Sequence, residues 1–277
     1  MPRSKKPDSV SMKEQLETLV QRYQQPGFIS DDPIGIPHRF TRKQDIEIAG
    51  LFAALLAWGN RTSILRSCNR ILDAMEQAPY DFIMQPGLFQ HPNHTRNFRG
   101  WVHRTFNEHD LLFILQFLHH HYFERKESSL ETAFSQWMHP EDPTVEQGLN
   151  GFYHYVFGYC AEAADEIHCR KHIAAPEKKS ACKRLNMYLR WMVRPSGTGV
   201  DFGLWNQLHP RQLLLPLDVH VSRVARKMNL LQRKQNDWQA VLELTDAVRS
   251  FHPNDPARYD FALYGLGLEE KYGTPGT

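Results

Sequence analysis

Apolar residues recur at intervals of three and four positions along most of this chain, and this spacing restricts the possible folds more than any other sequence feature. In residues 45–56, for example, Ile48, Leu51 and Leu55 fall on one face of a helix. The same spacing predicts further helices over residues 62–75, 111–123, 180–193, 218–228, 238–251 and 256–266, and one or two helices from residue 144 or 146 to residue 164. No segment shows the alternating pattern that is typical of strands. The sequence therefore predicts an all-α protein.

Two of these predicted helices are preceded by short polar residues that can accept hydrogen bonds. Thr62 or Ser63 is the predicted cap of the second helix, and Asp110 is the predicted cap of the third. Hydroxyl and carboxylate oxygens at such positions accept hydrogen bonds from the free backbone N–H groups of the first turn. These residues therefore mark the expected helix starts.

The composition is typical of a globular protein rather than of a membrane protein. Hydrophobic residues make up 41% and charged residues 23% of the 277 residues, and no apolar run reaches the roughly 18–20 residues that cross a bilayer. The four cysteines form no CxxC pair and are too few for a disulfide framework. The charged N-terminal residues lead into a polar segment rather than into the apolar stretch of a signal peptide. We therefore expect a cytoplasmic monomer with no membrane partner.

Basic residues concentrate in one stretch, although the net charge of the whole chain is only +2. Residues 170–234 contain fourteen Lys or Arg and three acidic residues, a net charge of +11, and the rest of the chain carries −9. A local positive charge of this size favours a polyanionic partner such as nucleic acid. A solvated basic face would give the same pattern, so the charge leaves both interpretations open.

An aspartate stands at the predicted start of a helix in residues 213–224, LLLPLDVHVSRV. Asp218 follows the apolar run directly after Pro216 and Leu217. A carboxylate at this place accepts hydrogen bonds from backbone N–H groups and is favoured by the helix dipole. The position alone therefore indicates a helix cap.

The residues around Asp218 also form a specific motif. They match the catalytic-aspartate motif of the helix-hairpin-helix base-excision DNA glycosylases, the HhH-GPD superfamily, at Pro216, Leu217, Asp218, His220, Val221, Arg223 and Val224. The chain therefore resembles this superfamily, and its pattern also resembles an uncharacterised bacterial family. The resemblance implies a two-lobed all-α fold. In it, a helical barrel spans residues 45–195 and a second helical domain combines residues 1–44 with residues 196–277.

The same resemblance implies a function in base-excision repair. The protein would be a DNA glycosylase or glycosylase/AP lyase that removes a damaged base from DNA, with Asp218 as the essential carboxylate at the lesion pocket. One alternative is a non-catalytic nucleic-acid-binding protein on the same fold, which the lack of the superfamily's glycine-rich hairpin favours. A helical interaction protein that binds no polyanion is the other alternative.

Superfamily members that also cleave the DNA backbone carry a nucleophilic lysine on the helix before this aspartate. Lys183 lies near the first turn of the predicted helix 180–193, so the resemblance assigns to it the attack on C1′ and the formation of a Schiff base. The usual Leu-Pro-Gly-Val-Gly hairpin is replaced here by residues 175–180, APEKKS. Lys178 and Lys179 therefore remain alternative nucleophiles, and a solvated basic helix face is the alternative to a catalytic lysine.

The resemblance also assigns residues to DNA contacts. Asn60 and Arg61 stand where these enzymes place polar residues that fill the hole left by a flipped base. A plain Asn cap at the turn is the alternative. The expected phosphate contacts are Lys179, Arg190, Arg194, Arg223, Arg226 and Lys227. On the predicted helix, Lys179, Lys183, Arg190 and Arg194 share a face opposite much of the leucine stripe.

We expect no metal and no cofactor. The chain stops at Thr277 without the four-cysteine iron–sulfur loop that some superfamily members carry. Four residues could in principle form a Cys₂His₂ zinc site, namely Cys160, His168, Cys169 and His172. Their spacing matches no usual zinc finger. HExxH, P-loop and GxSxG motifs are also absent from the sequence.

Overall fold

The computed structural model describes residues 11–29, 32–90, 92–159, 168–195 and 197–272. This part of the chain is mostly helical, which confirms the all-α class. The α-helices are α1 (Met12–Tyr23), α2 (Lys43–Leu55), α3 (Arg61–Ala74), α4 (Pro79–Ile83), α5 (Pro92–Thr95), α6 (Glu108–His119), α7 (Thr132–Ser135), α8 (Glu146–Gly158), α9 (Lys183–Val193), α10 (Val219–Lys227), α11 (Trp238–Arg249) and α12 (Asp260–Tyr272).

Short irregular elements connect these helices. The 3₁₀ segments are Pro26–Phe28, Pro33–Gly35, Pro37–Arg39, Arg96–Phe98, His168–Lys171, Pro176–Lys178, Pro210–Gln212 and Pro256–Tyr259, and a π-helical turn covers His120–Glu124. Two strands, β1 (Val102–His103) and β2 (Phe106–Asn107), form an antiparallel hairpin in which His103 pairs with Phe106. Within the described residues, none of the helices has the length and apolar character needed to cross a membrane.

Helix α2 lies at the centre of the molecule. Residues 46–55 are all buried, as expected for a helix that is apolar on almost every side. Glu47 is also buried although it is not apolar. Its carboxylate accepts hydrogen bonds from the side chains of Tyr122, Ser129 and Trp205. Burial raises the pKa of Glu47, and these donors oppose the rise. The carboxyl group of Glu47 therefore ties α2 to the segment after α6 and to the loop before α10.

Helix α9 packs against α2. The Tyr188 hydroxyl donates to the backbone oxygen of Glu47 at 3.0 Å. At Gly50 the two helices approach so closely that a Cβ atom would lie 2.7 Å from Cε of Met192. This contact fixes the position of α9 relative to the turn that follows α2.

The first and last helices of the described chain also pack together. Both α1 and α10 contact α12, and the ring of Tyr23 occupies the space that a side chain at Gly265 would need. Ion pairs join Arg22 to Glu269 at 2.6 Å and Arg258 to Glu17 at 2.9 Å. A single hydrophobic core runs through the helices of both predicted domains, and the division into two lobes stays a prediction.

Two predicted helix caps are wrong. Asn107 rather than Asp110 caps α6, because its Oδ1 accepts from the N–H groups of His109 and Asp110 at 2.9 and 3.2 Å. The Asp110 carboxylate accepts in turn from the Asn107 N–H group at 2.9 Å, which completes a reciprocal capping box. Helix α3 is capped by Asn60, two positions before its predicted start.

Helices α8 and α9 each cover at least three residues fewer than predicted. Helix α9 begins at Lys183 rather than at residue 180, because Lys179 and Cys182 adopt left-handed φ angles of 59° and 48° that interrupt a helix. Lys179 therefore does not lie on the same helix face as Lys183. Helix α8 ends at Gly158, and residues 160–164 of the predicted helix lie outside the described residues.

Candidate active-site cleft

A cleft of about 570 Å³ opens where the α2–α3 turn, the start of α9, the start of α10 and the first turns of α12 meet. Lys183 and Asp218 both line this cleft, although they are far apart in sequence. Its volume lies within the range of about 300–1,000 Å³ that is typical of small-ligand pockets. The cleft is therefore the candidate functional site.

Asp218 is the N-cap of α10. Its Oδ1 accepts hydrogen bonds from the N–H groups of His220 and Val221 at 2.8 and 2.9 Å. The preceding leucines are buried, and the Leu215 N–H group donates to Thr245 Oγ1 at 3.1 Å, which anchors the approach to the helix. The cap predicted from the sequence is confirmed. The same carboxylate lies on the wall of the cleft, so a structural and a chemical role are compatible.

Lys183 is the first residue of α9 and lines the same cleft. Its Nζ donates to Sδ of Met187, one turn later, at 3.6 Å. A thioether is a weak acceptor, so the amine can exchange this contact for one with a ligand. The positive charge of Lys183 acts on the carboxyl groups of Asp32 and Asp260.

Lys178 and Lys179, the alternative nucleophiles, are exposed and do not line the cleft. Both lie in the tight turn before α9. Lys179 has a left-handed backbone, and its carbonyl accepts from the Trp238 N–H group at 3.3 Å. Ser180 forms an isolated bridge with Asp237, which holds the turn against the start of α11. Lys183 is therefore the member of the three that faces a possible substrate.

Two buried carboxyl groups lie beside the cleft lysine. Asp32 and Asp260 are 7% and 6% exposed. Burial raises the pKa of Asp32 and raises the pKa of Asp260 to about 6, and in both cases the positive charge of Arg190 opposes the rise. A protonated carboxyl group donates a hydrogen bond and an ionised one accepts. The cleft therefore contains groups whose hydrogen-bonding role depends on pH.

Arg190 and Arg194 do not lie on the protein surface. They are 3% and 4% exposed. Arg190 is ion-paired with Asp260 and lies 3.3 Å from Asp201, whereas Arg194 contacts Asp201 at 2.9 Å and Asp255 at 2.8 Å. Buried guanidinium groups that are held by carboxylates are not available to DNA phosphates. The assignment of these two arginines to phosphate contacts is therefore wrong, because the part of the predicted basic face that carries them packs inside the protein.

The turn between α2 and α3 carries the two predicted wedge residues. Asn60 is exposed, and its Oδ1 accepts from the Ser63 N–H group at 3.3 Å, so the plain-cap interpretation accounts for it. Arg61 lines the cleft, as does the neighbouring Trp58. The guanidinium of Arg104, at the tip of the hairpin, lies 5.1 Å from the centre of the Trp58 ring. Arg104 therefore joins the hairpin to the turn that lines the cleft.

The remaining predicted phosphate contacts fall into two groups. Arg223 and Arg226 each donate to a backbone carbonyl, at 2.9 and 2.7 Å, and so hold neighbouring segments together. Lys179 and Lys227 are exposed. The basic stretch of residues 170–234 therefore supplies internal contacts as well as surface charge.

Sequence reasoning missed several residues of the cleft. Asp32 caps a 3₁₀ turn by accepting from the Ile34 N–H group at 3.0 Å, and its Asp-Pro sequence indicates only a turn. Asp260 and Tyr264 lie one turn apart on α12, and burial raises the pKa of Tyr264 to about 12. Asp260 and Tyr264 are far in sequence from Asp32, so no spacing along the chain connects them to it.

A family model described as "Protein of unknown function (DUF2400)" matches residues 32–269. The matched range contains every residue that lines the cleft. Neither the curated proteins nor the solved structures that were compared provide a match. The match covers most of the chain, and the protein therefore belongs to the DUF2400 family.

Proposed function

We propose that this protein is a DNA glycosylase with AP lyase activity that removes a damaged base from DNA. The observation that carries the proposal is that Lys183 and Asp218, at the starts of two separate helices, line one cleft. An amine nucleophile and a carboxylate are the groups that a covalent displacement of the base requires. The motif around Asp218 supports the same function.

The walls of the cleft suit a base that is turned out of the DNA stack. Trp58 and Tyr264 supply aromatic side chains, and flipped bases stack on surfaces of this kind. Asp32 and Asp260 supply buried carboxyl groups for hydrogen bonds to the polar edge of a base. Stacking and hydrogen-bonding partners are therefore present in the same cavity.

The proposed reaction uses the unprotonated amine of Lys183. Its nitrogen bonds to C1′ of the deoxyribose while the bond from C1′ to the base nitrogen breaks. The base leaves with the bonding electron pair and gains a proton, and the amine loses a proton. Opening of the sugar ring gives a Schiff base, from which β-elimination breaks the DNA strand. Asp218 stabilises the positive charge that develops on the sugar as the base departs.

Positively charged side chains in the cleft and on the protein surface support DNA as the partner. Arg61, Lys183 and Arg184 line the cleft, and Lys179 and Lys227 are exposed. Contacts between such side chains and phosphates release counterions, so DNA binding should weaken steeply as the salt concentration rises. Failure to bind DNA even at low salt would favour the helical interaction protein instead.

The decisive test is borohydride trapping with purified protein and oligonucleotides that carry damaged bases or an abasic site. Wild type should form a covalent protein–DNA adduct, because borohydride reduces a Schiff base to a stable amine. Lys183→Gln should abolish the adduct and leave DNA binding largely intact, since it removes a single charge. Lys178→Gln is the matched control, because Lys178 is a neighbouring lysine that lies outside the cleft.

Each outcome of the trapping experiment separates two interpretations. An adduct that persists in Lys183→Gln and disappears in Lys178→Gln or Lys179→Gln would keep the mechanism and reject the assigned lysine. Base release without an adduct in wild type would reject the lyase step only. DNA binding without base release on every substrate would contradict the enzymatic function and support a non-catalytic DNA-binding protein.

A further inference from the structure

Outside the cleft, three side chains that carry metal-binding atoms meet at the start of α6. Asp110 lies in the first turn of that helix. His168 and His172 are four positions apart on the turn that begins with the 3₁₀ segment His168–Lys171, and the centres of their rings are 5.8 Å apart. The fold thus brings a buried carboxylate to two imidazole rings from a distant part of the chain.

The three groups are close enough to share one ion. Nδ1 of His168 lies 2.9 Å from each carboxylate oxygen of Asp110, and Nε2 of His172 lies 3.4 Å from its Oδ2. The ligand atoms all lie within 4.8 Å of one another. Tetrahedral zinc has its ligand atoms about 3.4 Å apart, given bonds of roughly 2.0–2.2 Å. Small side-chain rotations therefore suffice to form a bound geometry.

We propose that Asp110, His168 and His172 form a binding site for a divalent transition-metal ion, with Zn²⁺ as the best-matched ion. Two imidazole nitrogens and one carboxylate oxygen are a donor set that zinc accepts, and three protein ligands leave a coordination position for water. His168 is 46% exposed, which gives an ion access from solvent, whereas Asp110 is 1% exposed. This site does not depend on the proposed function.

Existing hydrogen bonds of both histidines are lost when the ion binds. Nε2 of His172 lies 3.2 Å from the backbone oxygen of Thr105, and this hydrogen bond is lost when the nitrogen lone pair binds the metal and the ring proton resides on Nδ1. On His168, Nδ1 loses its hydrogen bond to Asp110 when it binds the metal, and the ring proton then resides on Nε2, which no longer accepts from Nζ of Lys171. Each lost hydrogen bond contributes little net stability beside that of metal coordination.

The proposed ligands differ from the Cys₂His₂ set that the sequence suggests, because Asp110 is one of them. Cys160 lies outside the described residues. Cys169 is buried, and its Sγ contacts the backbone oxygen of Asp110 at 3.9 Å. Of that Cys₂His₂ set, the two histidines therefore come together, and the Asp110 carboxylate of α6 is the third group beside them.

An ion at this site would brace one wall of the cleft. The backbone oxygen of His172 accepts from Arg184 at 2.9 Å, and Arg184 also donates to the backbone oxygen of Leu55 at 2.6 Å. Arg184 and Lys183 line both the cleft and a smaller cavity of about 280 Å³, which His172 also lines. Metal binding would therefore restrain the segment that leads into α9.

The test is a calorimetric titration of the full chain with Zn²⁺ after treatment with a chelator and removal of that chelator. Wild type should bind one Zn²⁺ per chain. His168→Gln removes an exposed ligand without opening the core and should weaken the affinity by about tenfold or more. His154→Gln is the matched control and should bind as wild type does, because His154 pairs with Glu177 at 2.8 Å outside the three-residue cluster.

A second variant and a second measurement distinguish the loss of a metal ligand from misfolding. Asp110→Asn keeps an oxygen that can accept from the Asn107 N–H group, as Asp110 does at 2.9 Å, and should lose affinity as His168→Gln does. Co²⁺ should give a visible absorption band in wild type and His154→Gln that both ligand variants lose. Failure of wild type to bind Zn²⁺, or unchanged binding in both folded ligand variants, would overturn the proposal.

Discussion

Helices α9 and α10 carry the same kind of sequence but lie in opposite environments. Both are amphipathic and both have basic residues along their length. Residues 185–193 of α9 are all buried, with Arg190 held by carboxylates, whereas Arg226 and Lys227 at the end of α10 are half-buried and exposed. Helix α9 packs against the central helix α2, so the spacing of basic residues identifies a helix face but not its surroundings.

The two helices are alike at their N-terminal ends. Lys183 begins α9 and Asp218 caps α10, and both ends meet at the cleft. Asp218 caps α10 by accepting from its free N–H groups, and Asp260 is the first residue of α12. The acidic groups of the cleft are therefore placed by helix starts, whereas the buried basic groups are placed by packing.

The largest expected effect follows from the loss of a buried arginine at the end of α9. Arg194→Met removes the guanidinium that pairs with Asp201 and Asp255, and Asp201 keeps the more distant contact with Arg190. Removal of one partner from a buried ion pair costs about 3–5 kcal/mol. Urea unfolding should show a loss of this size in the free energy of unfolding. Lys227→Met, on the exposed end of α10, should change it by less than about 0.5 kcal/mol. Equal losses in the two variants would contradict the difference in burial.

The next effect is a pH dependence of the free energy of unfolding, which comes from Asp260, the carboxyl partner of Arg190. The pKa of Asp260 is about 6 in the folded protein against an ordinary value of 3.8, chiefly because of burial. The folded state therefore binds more protons, and the stability that this group contributes is present below about pH 4 and lost as pH rises through about 6. Two pKa units correspond to about 3 kcal/mol.

Asp260→Asn isolates this titration from that of other carboxyl groups. Relative to that variant, the free energy of unfolding of wild type should fall by about 3 kcal/mol between roughly pH 4 and pH 7. Chemical denaturation at a series of pH values measures the difference. A difference that does not vary with pH would show that Asp260 ionises normally in the folded protein.

A smaller effect on stability separates the two roles of Asp218. Asp218→Ala removes the cap and should cost about 1 kcal/mol, whereas Asp218→Asn keeps an oxygen acceptor and should cost little. If the proposed function holds, both variants should lose base release by about 100-fold or more, because neither has a charged carboxylate. Wild-type base release by Asp218→Asn would leave Asp218 as a cap alone.

The smallest expected effect concerns the turn that delivers α9 to the cleft. Lys179 has a left-handed φ of 59°, a conformation that glycine adopts without steric penalty. Lys179→Gly should therefore raise the free energy of unfolding by up to about 1 kcal/mol. Lys178→Gly, at the end of the preceding 3₁₀ segment, should not stabilise the protein. A loss of stability in Lys179→Gly would indicate that its side chain matters more than its backbone strain.

The sequence by itself determined the local features of this protein. The apolar spacing predicted α2 and most of the other helices, because one face of each must be buried and neighbouring residues reveal that face. Asp218 was recognisable as a cap because its partners, the N–H groups of His220 and Val221, are two and three positions away. Local hydrogen bonds of this kind depend on adjacent residues alone.

Only the tertiary structure decided which polar side chains meet. Arg190 and Asp260 are 70 positions apart, and Asp110 and His168 are 58 positions apart. No spacing along the chain encodes such pairs, because each joins elements that meet only in the tertiary structure: α9 with α12, and α6 with the segment His168–Lys171. Burial then changes what the groups do: the arginines predicted on the surface became internal ion pairs, and Asp110, predicted as a cap, joined two histidines.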